Sequence, residues 1–313
     1  MKAFVFPGQG SQFVGMGKDL AEAFPVAREV FQEVDDTLDQ KLSKIMFEGA
    51  ESDLKLTENT QPALMAVSVA VARILQQAKS GLFSSTKIKC VAGHSLGEYS
   101  ALTAVGSFSL KDAAQLLKTR GQAMQKAVPV GVGAMAAILG LEIDDVTAIA
   151  KEASSDGVVA AANDNSFGQI VVSGDKAAVE KAIALATAKG AKRAIMLAVS
   201  APFHCSLMKP AADAMREALA AVDVNAPSVP VVANVTAGFV TDPAKIRQLL
   251  VDQVTGMVRW RESVLYMKSE GVTDLIELGA GKVLSGLTKR IDKELGGRSV
   301  GTPKDIEEFI ATL

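Results

Sequence analysis

The chain has 313 residues, 49% of them apolar, with 33 Lys plus Arg against 35 Asp plus Glu and a net charge of −2. That length predicts one large domain carrying a smaller one, with enough apolar residues for a sizeable core. The near-neutral balance excludes a globally basic nucleic-acid binder and leaves only a local basic patch open.

In chain order, the opening MKAFVFPGQGSQ has too short an apolar run for a secretory signal. It reads as a short buried strand ending in a glycine-rich turn. Amphipathic helical patterns follow over 17–73. The run ALMAVSVAVA is broken by Arg73 and is too short to span a bilayer, so a soluble, cytoplasmic protein with no membrane partner is expected. KIKCVAGH is a second strand, and helices are predicted over 96–104 and 110–126.

Residues 129–198 have their own rhythm: strand GAMAAILG, helix EIDDVTAIAKEAS, strands VVAAANDN and GQIVVSG, helix DKAAVEKAIALATAKG, strand AKRAIMLAVS. That β-α-β-β-α-β order is the ferredoxin-like pattern and predicts a small inserted domain. Helix 206–221, strand 229–235, helices 243–255 and 261–269 and strand 273–277 complete the prediction. Cys90 and Cys205 lie far apart and match no metal-ligand spacing, so reduced, partly buried thiols are expected.

The chemistry centres on VAGHSLGE. Gly93-x-Ser95-x-Gly97 after a strand has the spacing of a nucleophile elbow. Ser95-Leu-Gly-Glu98 also fits a capping box, the plainer reading. A cap needs no glycine on either side, whereas a strained elbow does. The chain has two histidines. His94 adjoins Ser95 and should point to the opposite face. The base for Ser95 is therefore assigned to His204, in SAPFHCSLM, where a helix start is expected to disfavour imidazolium. No motif identifies a carboxylate partner for His204.

PGQGSQFVG is a poor dinucleotide fingerprint, because Phe13 stands where glycine or alanine is needed, and no Gly-Lys-Ser/Thr is present. Such a turn can instead supply an oxyanion donor beside the N–H of Leu96. In LKDAAQLLKTRGQAMQ, Arg120 falls in the apolar stripe between Leu117 and Met124. It is either a snorkelling arginine near a helix end or a buried charge that holds a substrate carboxylate.

With FVFPGQGSQ, GHSLGEYSAL, TRGQAM, NDNSFGQIVVSG, FHCSLM, DQVTGMVRW and ELGAGKVLSGL in order, the chain resembles the malonyl-CoA:acyl carrier protein transacylases of bacterial fatty-acid synthesis, essentially end to end. The resemblance implies an α/β-hydrolase-like catalytic domain (1–128 and 199–313) with a ferredoxin-like insert (129–198). It implies Ser95 as acylated nucleophile and His204 as base. The Gln253 main-chain carbonyl would stand in the third position, with its side chain expected to matter modestly. It implies an oxyanion hole from the N–H groups of Gln9 and Leu96, and Arg120 on the malonyl carboxylate. Asn163, Asn165, Phe203 and Met124 would line the substrate cleft. The implied partners are malonyl-CoA, as substrate, and acyl carrier protein; no metal, cofactor or nucleic acid is implied, and a monomer is admissible. Met257 and Ala280 depart from the family, which often has proline at these positions. Separately, Lys192 and Arg193 form a basic pair that either docks the carrier or is simply solvated. Two other classes remain on the residues alone: a serine hydrolase, which gives Arg120 no role, and a non-catalytic carrier-binding module.

Overall fold

The computed structural model describes residues 1–129, 131–199 and 201–313. Val130, in the predicted insert, and Ser200, the end of its last predicted strand, lie outside the described residues.

The strands are β1 (Lys2–Phe6), β2 (Ile88–Gly93), β3 (Gly133–Leu139), β4 (Val159–Ser166), β5 (Gln169–Asp175), β6 (Arg193–Met196), β7 (Val231–Ala233), β8 (Gly238–Val240), β9 (Asp274–Leu278) and β10 (Gly296–Val300). They form a six-stranded sheet, β10-β9-β1-β2-β7-β8, and a four-stranded sheet, β4-β5-β3-β6. The larger sheet is parallel except for β8, which returns antiparallel to β7.

Its central strands read as continuous apolar runs because both faces are covered. Alternation along each strand feeds two layers. Phe4, Phe6 and Val91 pack into a cluster with Leu64 and Val67 of the long helix Thr57–Ala78. Ala3, Val5, Cys90 and Ala92 join Trp260 and Val264 on the other face. Mixed α/β architecture follows from this burial. Among the described residues no helix is long and apolar enough to cross a membrane.

The four-stranded sheet is antiparallel, and its strand and helix order is the predicted β-α-β-β-α-β. Ala136, Ile138, Ile170 and Val172 pack against Val146, Ile149, Val179 and Ala182 of the helices Ile143–Ala153 and Lys176–Ala188. The alternate residues Met135, Ala137 and Val171 face the cavity above the larger sheet. The chain at Val258 bridges to β4, with Asp164 N–H donating to the Val258 carbonyl at 2.9 Å and Val258 N–H to the Ala162 carbonyl at 2.9 Å. Arg261 adds a bidentate pair to buried Asp164, Nε at 3.1 Å from Oδ1 and Nη2 at 2.8 Å from Oδ2.

Several boundaries differ from the sequence reading. Residues 206–208 form a 3₁₀ turn, and the helix proper is Lys209–Ala220, with proline in its first turn. The 229–235 strand shortens to Val231–Ala233. Two strands and two α-helices have no counterpart in the sequence prediction: β8, the helix Val283–Ile291, β10 and the helix Pro303–Ile310. Both cysteines are free and buried, and burial pushes the Cys90 thiol up to about 12, so neither is a ready nucleophile.

Candidate active site

Ser95 sits between β2 and the helix Gly97–Ala104 at φ +53°, a left-handed conformation that costs a non-glycine residue energy. A Cβ on Gly93 would lie 1.9 Å from the Gly97 carbonyl, and one on Gly97 would lie 2.2 Å from the Phe6 carbonyl oxygen. The two glycines are therefore required by close backbone approach. Asn234, just past β7, clamps the turn. Its Oδ1 accepts from Ser95 N–H at 2.7 Å, and its Nδ2 donates to the Gly93 carbonyl at 2.6 Å. The capping box does not form: the helix has no side-chain cap. Glu98 instead accepts from Asn234 N–H at 3.0 Å and Gln253 Nε2 at 2.9 Å.

Ser95 Oγ lies 2.8 Å from His204 Nε2, and His204 Nδ1 lies 2.9 Å from the Gln253 main-chain oxygen. A carbonyl only accepts, so Nδ1 carries the proton and Nε2 is left to receive one from Ser95. Gln253 can lend this carbonyl because it stands in the last turn of the helix Pro243–Thr255, where carbonyls lack intrahelical partners. Met257 follows in a loop and Ala280 is buried in another; neither departure disturbs this contact. Burial, then the nearby Arg120 charge, pull His204 down to about 3. The reason differs from the expected helix-start effect: the α-helix begins only at Lys209.

Arg120 is 1% exposed, so it does not snorkel. Its helix, Leu110–Ala127, packs against Thr57–Ala78. Nη1 donates to Gln61 Oε1 at 2.7 Å; Nη2 donates to Gln253 Oε1 at 2.8 Å and to Ser95 Oγ at 3.1 Å. Among the described residues no carboxylate hydrogen-bonds this guanidinium, its buried Nε has no hydrogen-bond partner, and its Cζ lies 5.8 Å from the Tyr99 ring centre. A buried cation held by neutral groups is costly, and an anion entering the cavity would offset that cost. Gln253 is more than a carbonyl here. Its side chain also touches Arg120, Glu98, the Ser95 carbonyl at 3.1 Å and Asn234 at 3.3 Å.

A cavity of about 260 Å³ opens over Ser95, lined by Gln9, Leu96, Arg120, Met124, Asn163, Asn165, Phe203 and His204 among others. The main-chain N–H groups of Gln9 and Leu96 make no hydrogen bond to protein among the described residues. Asn165 is not wholly free, since its Oδ1 lies 2.8 Å from His94 Nε2; that contact takes His94 away from Ser95. Lys192 and Arg193 are not brought into the cavity. They are exposed at the start of β6, an edge strand of the smaller sheet.

The acyl transferase domain family matches residues 3–287. A malonyl CoA-acyl carrier protein transacylase of Bacillus subtilis (strain 168) is 48% identical over 312 residues, covering 99% of this chain and 96% of the relative. The chain belongs to the malonyl CoA-acyl carrier protein transacylase family. The crystal structure of an acyl-carrier-protein S-malonyltransferase from Bartonella henselae superimposes with a TM-score of 0.97 at 54% identity, covering 99% of this chain and 98% of that one. A malonyl-transacylase solved in complex with a type II polyketide acyl-carrier protein gives 0.95 at 43% identity, covering 100% and 99%.

Within this transacylase fold, the site contains three side chains that the sequence reading did not assign: Gln61, Glu98 and Asn234. Gln61 and Asn234 belong to no local motif, and Glu98 was absorbed by the cap pattern. Glu98 is 2% exposed, and burial lifts it to about 7 against the pull of Asn234, Gln253 and Arg120. Its contribution to stability is therefore present below its ordinary 4.5 and lost as pH rises through 7. His204 runs the other way: its contribution is present above 6.5 and lost as pH falls toward 3. Glu98→Gln removes only the first effect. The melting temperature of that variant, relative to the parent, is expected to climb from about pH 5 to about pH 8. A constant difference across that range would contradict a buried acid of raised pKa.

Proposed function

We propose that the chain moves a malonyl group from coenzyme A to the phosphopantetheine thiol of acyl carrier protein, in fatty-acid biosynthesis, through a malonyl-serine intermediate. His204 Nε2 takes the Ser95 proton as Oγ attacks the thioester carbonyl. The N–H groups of Gln9 and Leu96 receive the oxyanion. The carbon–sulfur bond breaks, and the leaving thiolate takes the proton from His204. In the second half-reaction the carrier's thiol gives its proton to His204 and attacks the ester. Ser95 Oγ then leaves and recovers a proton. Coenzyme A and the carrier end in the same arm, so one cavity can serve both steps. Malonyl-CoA is a substrate, and these steps use only protein groups.

The observation that carries this reading is Arg120, a buried guanidinium without a carboxylate partner, 3.1 Å from the nucleophile. A generic serine hydrolase gives it no task, and a carrier-binding module needs neither it nor the elbow. The family relationship and the solved carrier complex of a relative support the same donor and acceptor. We also take 1–128 with 199–313 as the α/β-hydrolase-like catalytic domain and 129–198 as the ferredoxin-like small domain, which brings Asn163 and Asn165 over the cleft. The deciding experiment is mass spectrometry after mixing with malonyl-CoA. A malonyl adduct on Ser95 that a pantetheine thiol discharges is expected, and rapid hydrolysis without such an adduct would favour the hydrolase.

Lys192 and Arg193 lie outside the cleft, and we assign them to carrier docking. Replacing both by alanine is expected to weaken carrier binding and flatten its dependence on salt. An unchanged salt slope would leave the pair as solvated charges.

A further inference from the structure

The elbow and the base arrive on separate elements. Asn234 follows β7 and clamps Ser95 N–H and the Gly93 carbonyl. Gln253 lies on the helix Pro243–Thr255; its main-chain oxygen holds His204, and its Oε1 accepts from Arg120. Apart from the long Gln253–Asn234 contact at 3.3 Å, these two holders meet at one atom, Glu98 Oε2. That oxygen accepts from the Asn234 main chain at 3.0 Å and from Gln253 Nε2 at 2.9 Å.

We propose that Glu98 is a positioning residue whose carboxylate ties the holder of the nucleophile to the holder of the base and the arginine, and so sets the preference for acyl groups bearing an acid. The proposal rests on the malonyl-serine reading above. Without the Glu98 oxygen, Gln253 Nε2 turns to its remaining acceptors, the Ser95 carbonyl and Asn234 Oδ1. The amide then rotates, and Oε1 leaves the line of the Arg120 Nη2 bond. The guanidinium loses one of its two glutamine holds and its aim at the substrate carboxylate. Acyl groups without that carboxylate feel the loss less. The alternative is that Glu98 matters only as a distant countercharge to Arg120.

Two conservative variants separate these ideas. Glu98→Asp keeps the charge but withdraws the oxygen by about 1.5 Å, the length of one carbon–carbon bond. Glu98→Gln keeps an oxygen at full reach, able to accept both donors, but removes the charge. Steady-state kcat/KM for malonyl-CoA and acetyl-CoA is measured for both variants and the parent at pH 8, where the parent is a carboxylate, with melting curves alongside.

Glu98→Asp is expected to lower the malonyl-to-acetyl preference about tenfold, the scale of one buried hydrogen bond left unmade, while Glu98→Gln stays within about threefold of the parent. A preference unchanged in Glu98→Asp overturns the proposal, as does an equal loss on both substrates, which is the mark of simple loosening. A loss in Glu98→Gln as large as in Glu98→Asp overturns it in favour of the countercharge. The parent's Ser95 adduct is recorded in the same series. Its absence would reject the underlying reaction, whereas its presence with an unaltered preference rejects only the role of Glu98.

Discussion

Ser95→Ala will form no malonyl adduct when mixed with malonyl-CoA, and His204→Ala will form it about 10²- to 10⁴-fold more slowly than the parent, the usual worth of a general base. The serine has no substitute. Cys205 adjoins His204, but its thiol is buried and raised in pKa, donating at 3.2 Å to the Pro202 carbonyl. The histidine loss is partial because the remaining parts do not depend on the imidazole. The elbow is fixed by Asn234, and the N–H groups of Gln9 and Leu96 belong to the main chain. Because His204 is held near 3, it is already neutral across the working range. The parent's acylation rate should then show no acid inflection at the ordinary histidine value. Rapid mixing followed by acid quench and intact-mass analysis reads all three proteins. A malonyl adduct on any other residue of the parent would sink the assignment.

How much of this was legible in the sequence depends on the range over which each constraint acts. The elbow was legible because its cause is local: Gly93 and Gly97 are glycines since any Cβ there meets backbone within 1.9 to 2.2 Å. Arg120 was legible because helical periodicity alone puts it among Leu117 and Met124, which are buried. The β-α-β-β-α-β order was legible because each element alternates or repeats within its own length. The interior of the site was not. Gln61, Glu98, Asn234 and Gln253 come from four distant segments, and nothing near any of them in sequence announces the others. Glu98 was misread for a physical reason: Ser-x-x-Glu before a helix is also a capping box, and only the tertiary arrival of Asn234 and Gln253 draws the carboxylate inward.

The C-terminal elements divide the same way. β10, GGRSV, carries little apolar signal because it is a half-buried edge strand paired only with β9. The helix Pro303–Ile310 went unpredicted although its signal is local, with Thr302 as cap, Pro303 next and Asp305 completing a capping box. That signal is of the same kind as the one at Ser95. Here no buried partner competes for the acid, so the box forms.

Arg120→Ala is expected to lose malonyl transfer by roughly 30- to 5,000-fold, the factor that about 2–5 kcal/mol for one partner of a desolvated charge pair implies. The guanidinium is buried against neutral oxygens from Gln61 and Gln253 and has no carboxylate of its own. A malonyl carboxylate can take two parallel N–H bonds from it and neutralise it at once. An acetyl group brings no such partner and leaves the charge buried and unpaired. Acetyl transfer in the alanine variant should therefore equal or exceed that of the parent. Two effects will blur the ratio without reversing it. Removing the guanidinium frees the oxygens of Gln61 and Gln253, which loosens the support of His204 for every substrate. It also lifts one of the three pulls that hold His204 low (burial, the Arg120 charge and His94), which strengthens the base for every substrate. Both act on malonyl and acetyl alike, so the quotient of the two kcat/KM values isolates the carboxylate. Arg120→Lys keeps a charge but offers a point donor in place of a planar fork facing Gln61, Gln253 and the substrate together, so it should recover only part of the malonyl rate. Measuring kcat/KM for malonyl-CoA and acetyl-CoA on the parent and both variants decides the matter. An equal fall on both substrates in Arg120→Ala would make the arginine a structural residue and remove the basis for malonyl selection at this site.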